Sequence, residues 1–355
     1  MKRTLLQLAI PVAVGVLCIG LWIISRPKSV FYGSGEIRHL VFSNDGRTLL
    51  VSQVEKPRSL LATKLTALNF APDFTTKWSY EDGDQLGKPQ FFSSDSRILV
   101  DRGFLRTFDA ATGKLLRNGG TLRKAAISPD GKWLAYRGQD PSNMGCLPPQ
   151  TISQQELCLE SPLGAQEGVS RKILQEQSVP NSFSFSPDSQ NLVVAGSQRR
   201  GSRLDFYDVN TWKLKRRITD FPRHGIQAME WSRNGRFLLS ITCFFSARIP
   251  DAYLNLWRVS DAKLLSSLTV PCGEEPYDIN TRFILPSFEV QNDGRVLRFG
   301  IDNQVLLSNS SNLSGGFQQL MSLPADKITA ASISPDSRYL VAGTKSGQVI
   351  RRLLK

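Results

Sequence analysis

The stretches SFSPDSQNLVVA at 184–195 and SISPDSRYLVAG at 332–343 decide the fold. In each, Pro presets the first central torsion of a type I turn, Asp tolerates the second, and a small residue closes it. The runs that follow, Asn191-Leu192-Val193-Val194-Ala195 and Arg338-Tyr339-Leu340-Val341-Ala342, are continuous rather than alternating. That pattern belongs to strands buried on both faces. Each stretch is therefore the tip and return strand of a β-hairpin.

The hairpin repeats. VFSNDGRTLLVS at 41–52, FFSSDSRILVDR at 91–102, AISPDGKWLAYR at 126–137 and EWSRNGRFLLSI at 230–241 carry the same pattern, and FEVQNDGRVLRFG at 288–300 is a weaker copy. The turn residues Asp45, Asp95, Asp130, Asp188, Asn234, Asp293 and Asp336 are spaced about 48 residues apart on average. A second, more polar hairpin follows in most repeats: LRTFDAATGKLLR at 105–117, RLDFYDVNTWKLKRRI at 203–218 and YLNLWRVSDAKLLSSL at 253–268. Four strands per unit of roughly 45 residues is the spacing of a propeller blade. Seven copies predict an all-β, seven-bladed propeller over residues 29–355.

These turns, each followed by an aromatic-acid strand and a Gly-Lys-Leu-Leu-like strand, resemble the WD40-repeat family and the related bacterial propellers with Ser-Pro-Asp-Gly repeats. Phe206-Tyr207-Asp208 and Leu256-Trp257-Arg258 stand where the family has its Trp-Asp pair, and Phe108-Asp109 is a fainter copy. The family's Gly-His pair is absent from every repeat. The resemblance implies how the ring closes. The last repeat has only three strands, and Ser29-Val30-Phe31-Tyr32-Gly33 is a spare strand that completes it, removing two open edges.

Thr4 to Ser25 is an uncharged run of 22 residues behind Lys2 and Arg3. At about 1.5 Å per residue a helix there spans a hydrocarbon core of about 30 Å. Residues 1–28 therefore read as an uncleaved transmembrane anchor, with a cleaved signal or a buried helix as alternatives. The flanking charges and the thiols place the propeller of a single-pass membrane protein on the extracytoplasmic, periplasmic side.

The rest of the composition narrows the chemistry. With only His39 and His224, His-rich metal centres are excluded, and no Cys-x-x-Cys pair exists. No glycine-rich phosphate loop, calcium loop or nucleophile elbow appears, so no catalytic residue, metal ligand or cofactor is assigned. Cys146, Cys158, Cys243 and Cys272 are either two loop-stapling disulfides or free thiols. The formal charge is +13. Arg199, Arg200 and Arg203, with Lys213, Lys215 and Arg217 beyond them, are read either as a guarded blade edge or as a contact for an acidic partner or anionic lipid. Nucleic acid is not expected, because the cations are not interleaved with stacking aromatics.

Long connections at 138–156, 243–253 and 270–283 supply a recognition surface on a rigid scaffold. Phe244, Phe245, Arg248 and Tyr277 are its contact candidates. The expected function is a membrane-tethered, non-catalytic platform for an unidentified protein partner. The alternative is a lactonase-like or quinoprotein-like propeller enzyme using the central channel.

Overall fold

The repeated turn is a polar knot. In five turns the Ser hydroxyl donates to the acid or amide two residues on, at 2.5–2.8 Å: Ser43–Asp45, Ser128–Asp130, Ser186–Asp188, Ser232–Asn234 and Ser334–Asp336. The same Ser oxygen accepts the backbone N–H five residues on, at 2.9 Å, and the acid or amide accepts the N–H two residues beyond itself. The motif thus satisfies its own backbone donors, which is why so short a signature recurs. The next residue is left-handed in every repeat but the second: Gly46, Gly131, Gly235 and Gly294, and also Ser189 and Ser337 with φ of 60° and 59°.

That conformation costs a residue with a Cβ about 1–2 kcal/mol, part of which glycine returns through a floppier unfolded chain. Exposed Ser337→Gly is therefore expected to stabilise by about 0.5 kcal/mol. Ser189→Gly is expected to give no gain, because the Ser189 hydroxyl accepts the N–H of Asp130 at 3.0 Å. Urea unfolding of the two variants checks the contrast.

The computed structural model describes residues 28–31, 35–55, 62–71, 73–83, 86–138, 157–160, 172–174, 180–198, 201–219, 225–245, 250–271, 287–301 and 303–354. Its first sheet, after β1 (Lys28–Phe31), is β2 (Gly35–Phe42), β3 (Thr48–Glu55), β4 (Ala62–Asn69) and β5 (Thr75–Asp82). The second holds β6 (Gln90–Phe92), β7 (Arg97–Asp109), β8 (Leu115–Ile127), β9 (Leu134–Gly138), β10 (Leu157–Glu160) and β11 (Lys172–Leu174). The third is β12 (Pro180–Phe185), β13 (Asn191–Gln198), β14 (Gly201–Asp208) and β15 (Leu214–Ile218). The fourth is β16 (Ile226–Trp231), β17 (Phe237–Phe245), β18 (Pro250–Arg258) and β19 (Lys263–Pro271). The fifth is β20 (Ser287–Val290), β21 (Val296–Ile301), β22 (Gln304–Ser308) and β23 (Phe317–Ser322). β24 (Ile328–Ile333), β25 (Tyr339–Thr344) and β26 (Gln348–Leu353) make the sixth, which β1 completes by pairing antiparallel with β26.

Two expectations are corrected here. The described residues form six sheets, so the propeller has six blades rather than seven. The reason lies in β8, which pairs with β7 through its first half and with β9 through its second. The outer strand of one repeat runs unbroken into the inner strand of the next, and two repeats share one six-stranded sheet. The anchor read over 4–25 lies outside the described residues, and among those described no helix is long and apolar enough to cross a membrane. A single-pass membrane protein with an extracytoplasmic propeller and a lipid partner is therefore not supported.

The strands after the knots form the core, as their continuous apolar runs require: Leu49, Leu50, Ile98, Leu99, Leu192, Val193, Leu238, Leu239, Leu340 and Val341 are fully buried. Each such side chain is worth about 1.5–3 kcal/mol of burial. Tryptophans fill the seams between hairpins, with Trp133 edge-on to Trp212 at 4.8 Å and Trp78 stacked on Phe108 at 6.4 Å. At the junction of the last and first sheets, β25 and β2 approach so closely that a Cβ on Gly343 would fall 2.4 Å from Ile37.

Neighbouring knots are also tied to one another around one rim. Asn44 donates its backbone and side-chain N–H to Asp95 at 2.7 and 3.0 Å, and the Ser93 N–H reaches the Pro129 carbonyl at 2.7 Å. Asn234 donates its backbone N–H to the Asn292 side-chain oxygen and its side-chain N–H to the Asn292 backbone carbonyl, both at 2.9 Å. Gly46 lies against Pro335, which carries the chain of contacts across the closing seam.

Candidate functional site

The inner strands β24, β20, β16 and β12 lie next to one another in turn, with β2 and β8 at either end, around the central channel. Across it, Lys88, which precedes β6, reaches Glu230 of β16 with both carboxylate oxygens at 2.8–2.9 Å. Burial pulls the Lys88 pKa down, but the charge and hydrogen bond of Glu230, then the charge of Glu289, outweigh it and the net shift is upward. Glu289 of β20 also accepts from the Gln291 amide at 3.0 Å, and Arg233 reaches the Ile333 carbonyl at 3.4 Å. Two carboxylates and an amide do converge here, but a lysine holds the first carboxylate and attracts the second. Among the described residues no group of three His, Cys, Asp or Glu is placed to hold a metal ion.

The Lys88 and Glu230 side chains are 46% and 30% exposed, so solvent screening limits the bridge to about 1 kcal/mol. Lys88→Met and Glu230→Gln are each expected to cost about that much, with the double variant costing less than their sum. Because the lysine pKa is raised, this contribution is complete below the ordinary lysine value and is lost as pH rises through the raised one. Urea unfolding of the four proteins at pH 7 and pH 11 measures both effects.

A groove of about 700 Å³ lies at the closing seam, lined by Asp45, Phe70, Asp73, Asp336 and Tyr339 among others. Asp45 and Asp336 are engaged by their own turns. Arg351 of β26 packs its guanidinium 5.1–5.6 Å from the Phe70, Phe74 and Tyr339 rings and donates to the Phe70 carbonyl at 3.2 Å. The feature is a clamp between the first and last sheets.

The outer edge of the third sheet departs from the expected basic row. Arg203 is no surface cation: it is 1% exposed, its Nε 2.9 Å from the fully buried Asp205 carboxylate. Arg217, opposite Asp205 on β15, binds the same carboxylate with two donors at 2.7 and 3.0 Å. Lys215 pairs with Asp208 at 2.7 Å, a bond that leads the causes holding the Asp208 pKa down at about 2. Arg216 donates to the Val259 and Ser260 carbonyls at 3.3 and 3.4 Å, bridging to the fourth sheet. Lys213 has no ion-pair partner among the described residues. Between Lys213 and Lys215, Leu214 is 43% exposed, and Leu264, opposite Trp257 as Leu214 is opposite Tyr207, is 41% exposed.

The remaining candidates are placed by backbone or lie outside the described residues. Phe244 and Phe245 sit on β17 opposite Asp251 and Pro250, so strands occupy most of the connection expected at 243–253 and leave only 246–249 between them. Cys243 is on β17 opposite Ala252, and Cys158 is on β10, in a different sheet, opposite Tyr136 and Ile173. Arg199, Arg200, Arg248, Tyr277, Cys146 and Cys272 lie outside the described residues.

Comparison with protein families finds two matches. The model of the WD domain, G-beta repeat, matches residues 317–350, which span the end of the fifth sheet and most of the sixth. The chain is a WD40-like β-propeller. The propeller also matches the model of eukaryotic translation initiation factor eIF2A over residues 167–271. A comparison with curated proteins finds no match. Among solved structures, the propeller is similar to a chain of one titled "Crystal Structure of Mitotic Checkpoint Complex", with a TM-score of 0.57 and 12% identity, covering 93% of this chain and 95% of that one. At that identity the likeness concerns the fold.

Proposed function

We propose that the propeller is a non-catalytic platform for protein–protein contact. The observation that carries this reading is the division of its polar groups. Among the described residues Lys88 and Glu230 are engaged with each other and the turn acids with their own turns, whereas the outer edge of the third sheet holds Lys213 without an ion-pair partner beside Leu214, 43% exposed. WD40-like propellers suggest the same role. Phe244, Phe245, Arg248 and Tyr277 belong to this proposal as contact residues, and Cys146, Cys158, Cys243 and Cys272 as two disulfides bracing the connections near them.

Crosslinking in native cells, purification through a C-terminal tag and mass spectrometry test the proposal. A near-stoichiometric protein partner is expected, reduced by Phe244→Ser with Phe245→Ser in a chain whose melting is unchanged. Recovery of a small molecule or metal ion alone would overturn the platform and favour the channel enzyme.

A further inference from the structure

β15 is the outermost strand of its sheet, bonded to β14 on one side, and Leu214, Lys215, Arg216 and Arg217 are all exposed. An edge strand offers a row of backbone donors and acceptors to any extended chain that approaches it. Lysines on such an edge ordinarily repel other strands. That role accounts for the charges but not for Leu214, an apolar side chain left open between two of them.

The charges sort into two kinds. Lys215 and Arg217 are neutralised by Asp208 and Asp205. Among the described residues Lys213 and Arg216 are not, since Arg216 is held only by neutral carbonyls. The register shifts between Phe206 and Tyr207, so Arg216 lies opposite Phe206 and Leu214 opposite Tyr207, while the Lys213 carbonyl takes the Asp208 N–H. Neighbours on β14 face opposite sides, so one face of the edge carries the unbalanced cations and the other the apolar contact. A second copy of β15 laid against this edge would meet like charge. A strand alternating acidic and apolar residues would meet opposite charge and an apolar side chain, which makes the same edge selective.

Building on the platform reading, we propose that the free edge of β15 receives an extended, acidic and apolar segment of the partner protein by strand addition. Backbone bonds supply the register, Lys213 and Arg216 the selection for carboxylates, and Leu214 the apolar contact.

The test uses the full chain and a fluorescently labelled eight-residue peptide alternating glutamate and valine, read by fluorescence anisotropy. Binding is expected, weakened at least tenfold in a Lys213→Glu, Arg216→Glu variant whose melting curve is unchanged. It is also expected to be lost when alternate peptide nitrogens are methylated, because that removes the donors a strand must contribute while keeping the charge. Equal binding of the methylated peptide would overturn strand addition. Equal binding by the variant would overturn the assignment to this edge. No peptide binding, with a partner still recovered through the tag, would overturn the edge proposal and leave the platform standing. Self-association of the chain abolished by the same variant would overturn it in favour of a second copy as occupant.

Discussion

Asp205→Ala is expected to destabilise the propeller by about 3–5 kcal/mol, the usual cost of removing one partner from a buried ion pair. Asp205 is fully buried and balances two guanidiniums. Arg217, 38% exposed, can turn its charge to solvent when the carboxylate goes, but Arg203, at 1%, cannot. The cost is therefore the stranded Arg203 charge more than the lost attraction. Three comparisons separate these. Asp205→Asn keeps the shape and still leaves the charge uncompensated, so it is expected to remain strongly destabilising. Arg217→Ala is expected to cost about 1 kcal/mol, because the exposed half of the triad is screened. Arg203→Met combined with Asp205→Leu removes both buried charges and is expected to recover most of the stability lost in Asp205→Ala. Urea unfolding followed by tryptophan fluorescence reads all four. An Asp205→Ala midpoint equal to wild type would show that the carboxylate does not hold the arginines.

Removal of β1 is the second large effect. Lys28, Ser29, Val30 and Phe31 lie opposite Arg351, Ile350, Val349 and Gln348, and among the described residues no other strand borders β26 on that side. Deleting residues 1–31 opens the edge of the sixth sheet and is expected to cost about 2–4 kcal/mol relative to deleting 1–27, on about 1 kcal/mol for each net backbone bond. Collapse is not expected. The seam keeps the Thr329 hydroxyl on the Ile37 carbonyl at 2.5 Å, the Arg351 clamp and the apolar contact between β2 and β24. Hydrogen exchange should locate the loss in residues 348–353. Identical melting of the two truncated chains would refute closure by β1.

Much of this architecture is legible in the sequence because it is local. The Ser-x-Asp signature completes its knot within six residues, and the continuous runs after it become buried strands wherever they occur. The closing strand is legible because the last repeat lacks one. What escapes local reading is what distant segments decide. The run LLRNGGTLRKAAI shows a turn-like Asn-Gly-Gly where β8 stays extended, because β7 and β9 pair with its two halves. Arg203 looks like a surface cation beside Arg199 and Arg200. Its register across from Gly196 and its contact with Asp205 bury it. A signal was present: Asp205 holds the place taken by Thr66, Arg106 and Asn255 in other blades, each buried and each opposite a polar residue on the outer strand. The channel bridge had none, since Lys88 and Glu230 are 142 residues apart.

The most direct test of the platform reading is hydrogen exchange by mass spectrometry on the full chain, alone and with the partner recovered through the tag. Protection is expected to appear in surface segments, with 213–218 and 243–251 foremost, while the channel-lining segments 86–92, 226–231 and 287–291 exchange as before. Protection confined to those channel segments would contradict the account and place the function inside the ring.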